Sequence, residues 1–419
     1  MIVVPFIYFT LLTFYLWKRH QCFDVCVYMS ALYAFTAFLS IVLVFGNMLE
    51  LGGVLFDNYD LELSIVPTVL YCAVITVGIL PFSMLYKDDI KKIETPNPNL
   101  IYAFSWFLIA ISLLNFYLVA DSTIEILSGD LSSVRSDHYN GIESPAEVKA
   151  QSLPSIIGYI YYFKLSTLLA LPLFFYYVCY EKRKWWFNLL VLFASFSVPL
   201  AGIQAADRTE MVFYAMMFLS CVVMFRKKLP SKVKRTMRIF MIPILLLAAT
   251  YIVAVSQARF DKEDGGAETS VAQYAGQNYL NFCYFWENGK WEYLATEREF
   301  PLINHLFFKI DSNIDRREDR SGKHGFFISV FASYAGDIML DLSPIGLFIW
   351  VILFFIITVC VLKRPHRDTY SVGEYLAFFA LSVIPIFGIF YYRYHYFTYS
   401  FLLLLVAACY VSDKYKIKI

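Results

Sequence analysis

Charge is what this chain lacks most. Only 16% of its 419 residues are Asp, Glu, Lys or Arg, against about a quarter in a soluble globule. That deficit excludes an ordinary water-soluble domain. The 59% of hydrophobic residues mark an integral membrane protein instead. The net charge of +1 provides no global field for nucleic acid, and no basic helix or RNA-binding motif occurs. There is no Cys-x-x-Cys pair, no zinc-ligand spacing and no P-loop, which argues against an ATP-driven pump and a metal hydrolase. Of the eight cysteines, only Cys283 lies in a long polar stretch, so that stretch has no internal disulfide. The N-terminus lacks a basic leader region and a small-residue cleavage site. It is therefore expected to be a first membrane span. No internal repeat is visible, which lowers the case for a transporter built from inverted repeats.

What is present is a series of apolar runs. Windows of about 17–25 mostly apolar residues predict an all-α polytopic fold of about eleven transmembrane helices. They fall near 2–17, 25–45, 63–86, 100–120, 153–180, 186–204, 209–225, 239–257, 343–362, 372–390 and 396–411. With Lys18 and Arg19 placed inside, the inside loops and the C-terminal tail collect 21 of the 35 Lys and Arg. The short outside loops hold only Arg135, Lys149, Arg208 and Arg393. The long loop 258–324 crosses largely regardless of charge. The expected orientation is N-terminus outside and C-terminus inside. One membrane domain, 1–419, is expected, with 121–152 and 258–324 as outer excursions. The second excursion is aromatic and amphipathic, and is expected to form short helices on the outer surface.

The polar residues assigned to the outside carry the chemistry. Arg208 closes a hairpin of about four residues, with Asp207 and Glu210 beside it. A guanidinium forks onto phosphate oxygens, so Arg208 is either a phosphate clamp or an interfacial arginine paired with one of those carboxylates. Arg393 and His395 sit in the YYRYHYF stretch, 391–397. They read either as a second cation with a titratable imidazole, or as a snorkelling arginine in an aromatic belt. Arg259 follows the eighth run as a third cation or a loop anchor. Lys164 lies within a span, some 18 Å down a helix counted from Ser152, and either meets an anionic headgroup or snorkels. Asp337 and Asp341 share one helix face. A carboxylate there is a candidate base toward a sugar hydroxyl, or a helix-terminal charge before Pro344. Tyr279, Trp286 and Trp291 are candidate sugar platforms, and His324 opens the segment leading to Asp337. Arg208, Arg259 and Arg393 each lie at the outer end of a different run, so they are expected to converge on one outward cavity. No cofactor and no metal are expected.

Two stretches, AADRTEMVFYAMMF (205–218) and HGFFISVFASYAGDIMLDLSPIGLFIW (324–350), together with the order of runs and loops, resemble the bacterial oligosaccharide repeat-unit polymerases of O-antigen and capsule synthesis. The chain departs from the paired arginine–glycine loop pattern of some members: Ala146 and Ser270 stand where the glycines would be. The resemblance implies a membrane-embedded glycosyltransferase of the GT-C type in the bacterial inner membrane. It would act at the periplasmic face on undecaprenyl-pyrophosphate-linked oligosaccharides, without a metal, transferring the growing chain onto the next lipid-linked repeat. In that setting Arg208, Arg259, Arg393 and Lys164 would hold the pyrophosphate, and His324, Asp337 or His395 would serve the acceptor. A chain-length regulator and a flippase are the implied partners, and no nucleic acid is involved. A polysaccharide or lipid-linked oligosaccharide flippase is the main alternative, though it needs no large outer loop. An O-antigen ligase would share most of these features. A membrane acyltransferase would want a histidine deep in a span, and all six histidines lie in loops or at run ends. A non-enzymatic scaffold leaves the outward arginines unexplained.

Overall fold

The computed structural model describes residues 1–46, 63–85, 92–128, 148–149, 152–204, 208–237, 239, 267–291, 299–300, 326, 328, 330–362 and 369–415. Among these the chain is helical, apart from one pair of three-residue strands. Six helices are long and apolar enough to cross a membrane: Val25–Phe45, Ile65–Met84, Pro98–Ala120, Trp185–Ile203, Ser333–Leu362 and Phe397–Tyr415. Thr209–Phe225 and Val372–Phe387 are shorter apolar helices. The expected run 239–257 lies almost wholly outside the described residues. The chain divides into two compact units.

The first unit comprises Met1–Asp89, Glu263–Arg367 and Ala380–Phe397. It opens with the helical pair Val3–His20 and Val25–Phe45. The turn between them is fixed locally. Gln21 adopts a left-handed conformation (φ 55°), and its N–H returns to the Trp17 carbonyl. Asp24 caps the second helix by accepting from the Val27 N–H, and its other oxygen meets His20 Nδ1 at 2.6 Å. Ile65–Ile79 follows and tightens into a 3₁₀ turn, Leu80–Leu85.

The described part of the long loop, 267–291, departs from expectation. Ala267–Asn288 is a single 22-residue helix set within this unit, not a set of short surface helices. Small residues let it approach Val25–Phe45 closely. A Cβ on Gly276 would stand 2.7 Å from the Leu39 carbonyl oxygen, and Ser40 donates to the Gly276 carbonyl at 2.5 Å. Its next face meets Ile65–Ile79, where the Tyr279 and Thr68 hydroxyls lie 2.7 Å apart. The aromatic stripe that suggested a membrane-surface helix is a packing face.

Ser333–Leu362 spans 30 residues and is broken at Ser343 (φ 67°, ψ 171°), just before Pro344. Such a backbone is strained for any residue but glycine. Residues 333–341 before the break are all buried. After it, Ile345, Ile349, Ile352 and Ile356 form an exposed stripe at helical spacing, the side a lipid chain would meet.

The second unit comprises Ile90–Lys262, Asp368–Phe379 and Thr398–Ile419. Where the sequence predicts one span over 153–180, four segments occur. They are Ser155–Tyr161 (α), Lys164–Leu169 (3₁₀), Ala170–Tyr176 (α) and Tyr177–Glu181 (π). The first break precedes Lys164. Strands Lys92–Glu94 and Thr369–Ser371 pair in parallel, with Ile93 opposite Tyr370. Ser371 and Glu374 then form a reciprocal cap: the Glu374 N–H donates to Ser371 Oγ, and the Ser371 N–H to Glu374 Oε2.

Candidate functional site

Three of the residues singled out from the sequence come together in the first unit, on the turn that follows Val372–Phe387. The start of Ser333–Leu362 holds this turn. Ser333 N–H donates to the Phe390 carbonyl at 3.0 Å, and Tyr334 N–H to the Gly388 carbonyl at 2.8 Å. One turn further along the helix, Asp337 Oδ2 accepts the Tyr392 N–H at 2.7 Å. The helix thus grips the turn through two of its first N–H groups, which have no partner inside the helix, and through one carboxylate.

Arg393 sits in this turn with no solvent exposure. Its Nη1 donates to the Tyr391 hydroxyl. The guanidinium carbon lies 5.1 Å from the Phe387 ring centre, 5.8 Å from Tyr391 and 5.6 Å from Tyr396. A buried guanidinium loses several kcal/mol of hydration, which these ring faces, at up to about 2 kcal/mol each, offset in part. His395 lies against the same rings, 5.1 Å from Tyr391 and 4.0 Å from Tyr396. Its Nδ1 is 2.7 Å from the Tyr392 carbonyl oxygen. That oxygen can only accept, so Nδ1 carries the hydrogen and Nε2 is the basic nitrogen of the neutral ring.

Two further groups border the turn. Asp341 Oδ2 accepts the Glu299 N–H at 2.6 Å, and Glu299 is itself buried. Burial, joined by the Glu299 carboxylate, pushes the Tyr392 phenol well above its ordinary range, so Tyr392 stays a neutral donor. Tyr274 lies 5.1 Å from Phe331, which stacks on Tyr391 at 5.8 Å. Asn281 Nδ2 donates to the Phe331 carbonyl at 2.8 Å. Glu299, Asn281 and Tyr391 were not singled out from the sequence. Glu299 follows Glu297 and Arg298 in a polar stretch with no pattern to mark it. The spacing Tyr274–Asn278–Asn281–Phe285 was a readable signal, because it places two amides on an otherwise aromatic helix face.

The other described candidates belong to other elements. Tyr279 is 1% exposed, with its ring 5.4 Å from Tyr71 and its hydroxyl at Thr68. It holds two helices together, and no ring face is open to a sugar. Trp286 and Trp291 are half-buried near the end of the same helix, the Trp291 ring lying against Gly289. Arg208 and Lys164 belong to the second unit. Arg208 is 9% exposed and precedes Thr209–Phe225, with Glu210 in the first turn. A cation there opposes the helix dipole, so Arg208 is not placed to stabilise that helix. Lys164 Nζ donates to the Tyr161 hydroxyl at 3.1 Å and stands 4.3 Å from its ring centre. Arg259 and His324 lie outside the described residues. Among the described residues, no group of three or more His, Cys, Asp or Glu side chains is placed to hold a metal ion.

A scan against protein-family models and searches of the curated proteins and of the solved structures found no match.

Proposed function

We propose that this chain is a glycosyltransferase of the bacterial inner membrane that polymerises undecaprenyl-pyrophosphate-linked oligosaccharide repeat units at the periplasmic face. In this reading it crosses the membrane eleven times, with the N-terminus periplasmic and the C-terminus cytoplasmic, as a GT-C-type enzyme. The observation that carries the reading is the turn Gly388–Tyr396. It presents an imidazole with a basic Nε2 among several aromatic rings, on a turn held in shape by a buried guanidinium and a buried carboxylate. A base and ring platforms suit transfer from a lipid pyrophosphate to a sugar hydroxyl.

The reaction balances without a further reagent. The acceptor hydroxyl attacks the anomeric carbon of the donor chain. The bond from that carbon to the pyrophosphate oxygen breaks, and the lipid pyrophosphate leaves with the electron pair. His395 Nε2 takes the acceptor proton, at the 10²–10⁴-fold typical of positioned bases. A guanidinium suits the charge that develops on the leaving oxygen, and the sequence offers Arg208 for that role. Arg393, enclosed by protein, shapes the turn that presents His395.

The reading is tested with purified protein, lipid-linked repeats and a chelator. Lipid-linked chains of several repeats are expected. Repeats moved across a bilayer without growth would mean a flippase, and transfer only onto a lipid core would mean a ligase. In cells, Arg208→Ala should leave single repeats at normal protein levels, and Arg208→Lys should rescue poorly, because a point charge does not replace a fork. Wild-type chain lengths in the alanine variant would remove Arg208 from the site.

A further inference from the structure

Two basic segments far apart in sequence meet at one end of the second unit. Phe225, the last residue of Thr209–Phe225, stacks on Phe175 at 5.6 Å and lies edge-on to Tyr180 at 6.0 Å. The helix then closes in one further turn, in which the N–H groups of Lys228 and Leu229 both donate to the Phe225 carbonyl. On the other side, Lys182 takes a left-handed conformation (φ 53°), and its N–H closes onto the Tyr177 carbonyl at 2.7 Å. These turns bring Lys182–Lys184 beside Arg226–Arg235.

Seven cations there are exposed: Lys182, Lys184, Arg226, Lys227, Lys228, Lys232 and Arg235. Glu181, the nearest acid in sequence, pairs with Arg183, whose guanidinium lies 4.9 Å from the Tyr102 ring centre. Among the described residues no ion pair links Lys182, Lys184, Arg226, Lys228, Lys232 or Arg235 to a carboxylate. Like charges so placed repel one another and do nothing for the fold. Beside them, Trp185 is 74% and Trp186 42% exposed, at the start of the membrane-length helix Trp185–Ile203. Indoles at the end of an apolar helix sit at the level of lipid headgroups, which favours a bilayer surface over a soluble polyanion.

We propose that this basic, tryptophan-flanked end of the second unit is a binding site for the headgroups of anionic phospholipids, held from two sides by the two segments. Each cation contributes about 1 kcal/mol to such a contact, so removing two should weaken it more than about tenfold.

The experiment uses the full chain in a neutral detergent and reads its thermal midpoint. Added phosphatidylglycerol should raise the midpoint, while phosphatidylcholine and inorganic phosphate at equal concentration should not. Lys182→Gln with Lys184→Gln, and separately Lys228→Gln with Lys232→Gln, should each shift the phosphatidylglycerol titration by more than about tenfold. Arginine at all four positions should keep the response. Should a glutamine variant fail to fold, the wild type still decides, because its phosphatidylglycerol response must weaken as salt rises. Equal stabilisation by phosphatidylcholine, an equal effect of free phosphate, a salt-independent response, or an unchanged titration in the glutamine variants would each overturn the proposal. None of these readouts involves glycosyl transfer.

Discussion

At the residue scale, Asp337 shows how a group chosen for its chemistry also has a structural role. Its Oδ2 receives the Tyr392 N–H within a fully buried setting. Removing that acceptor strands a buried donor, at about 1–3 kcal/mol. Asp337→Ala should therefore lower the thermal midpoint. Asp337→Asn keeps an acceptor oxygen and should hold the midpoint near wild type. If the asparagine variant also makes full-length polymer, Asp337 only positions the turn; lost polymer with an intact fold would give its charge a part in the chemistry. The sequence pointed to Asp337, Arg393 and His395 because each is a polar group in an apolar stretch. It could not show that Arg393 is enclosed by Phe387, Tyr391 and Tyr396, since a buried and a snorkelling arginine both sit among aromatics. Nor could it separate the packing tyrosine Tyr279 from Tyr391, since spacing alone does not tell which neighbour covers a ring.

At the scale of elements, the apolar runs were legible wherever a helix is continuous. Val25–Phe45 and Thr209–Phe225 coincide with the predicted runs, because a chain in hydrocarbon must satisfy its own backbone and does so as a helix. The segment 153–180 was less legible. Its segments are tied by Lys164 donating to the Tyr161 hydroxyl and by Tyr375 donating to the Pro172 carbonyl at 3.2 Å, contacts no local pattern announces. Ala267–Asn288 reads from its moderate polarity as a surface helix, while its close packing rests on Gly276. Gly276→Val should force the helix away from the Leu39 carbonyl, at about 1–3 kcal/mol. The measurement is the thermal midpoint in detergent. An unchanged midpoint would mean that the close approach is not needed for the helix pair.

At the scale of the molecule, the sorting of Lys and Arg among the loops sets an expected side for every loop. Single cysteines in a background with the native eight replaced test it. Positions 130, 208 and 290 should react with an impermeant thiol reagent added outside, and position 232 should not. Reaction at 232 from outside would reverse the orientation, and with it the side on which the glycosyl-transfer reading places its site. The lipid-headgroup proposal would survive, because it depends on charge and not on side. The apolar runs made the helical class legible throughout. The division into two units was not, because helix Val372–Phe387 contributes residues up to Phe379 to one unit and from Ala380 to the other.

The break at Ser343 also determines how thick a membrane this protein fits. Unbroken, a helix of 30 residues would be about 45 Å long, far beyond a hydrocarbon layer of about 30 Å. The break leaves 344–362 as the section with the exposed isoleucine stripe, and that section rises about 28 Å. The nine buried residues before it pack against protein and need no match to lipid at all. One strained serine thus converts an over-long apolar run into a segment cut to ordinary bilayer thickness, which removes the tilt or local thickening that hydrophobic mismatch would otherwise impose.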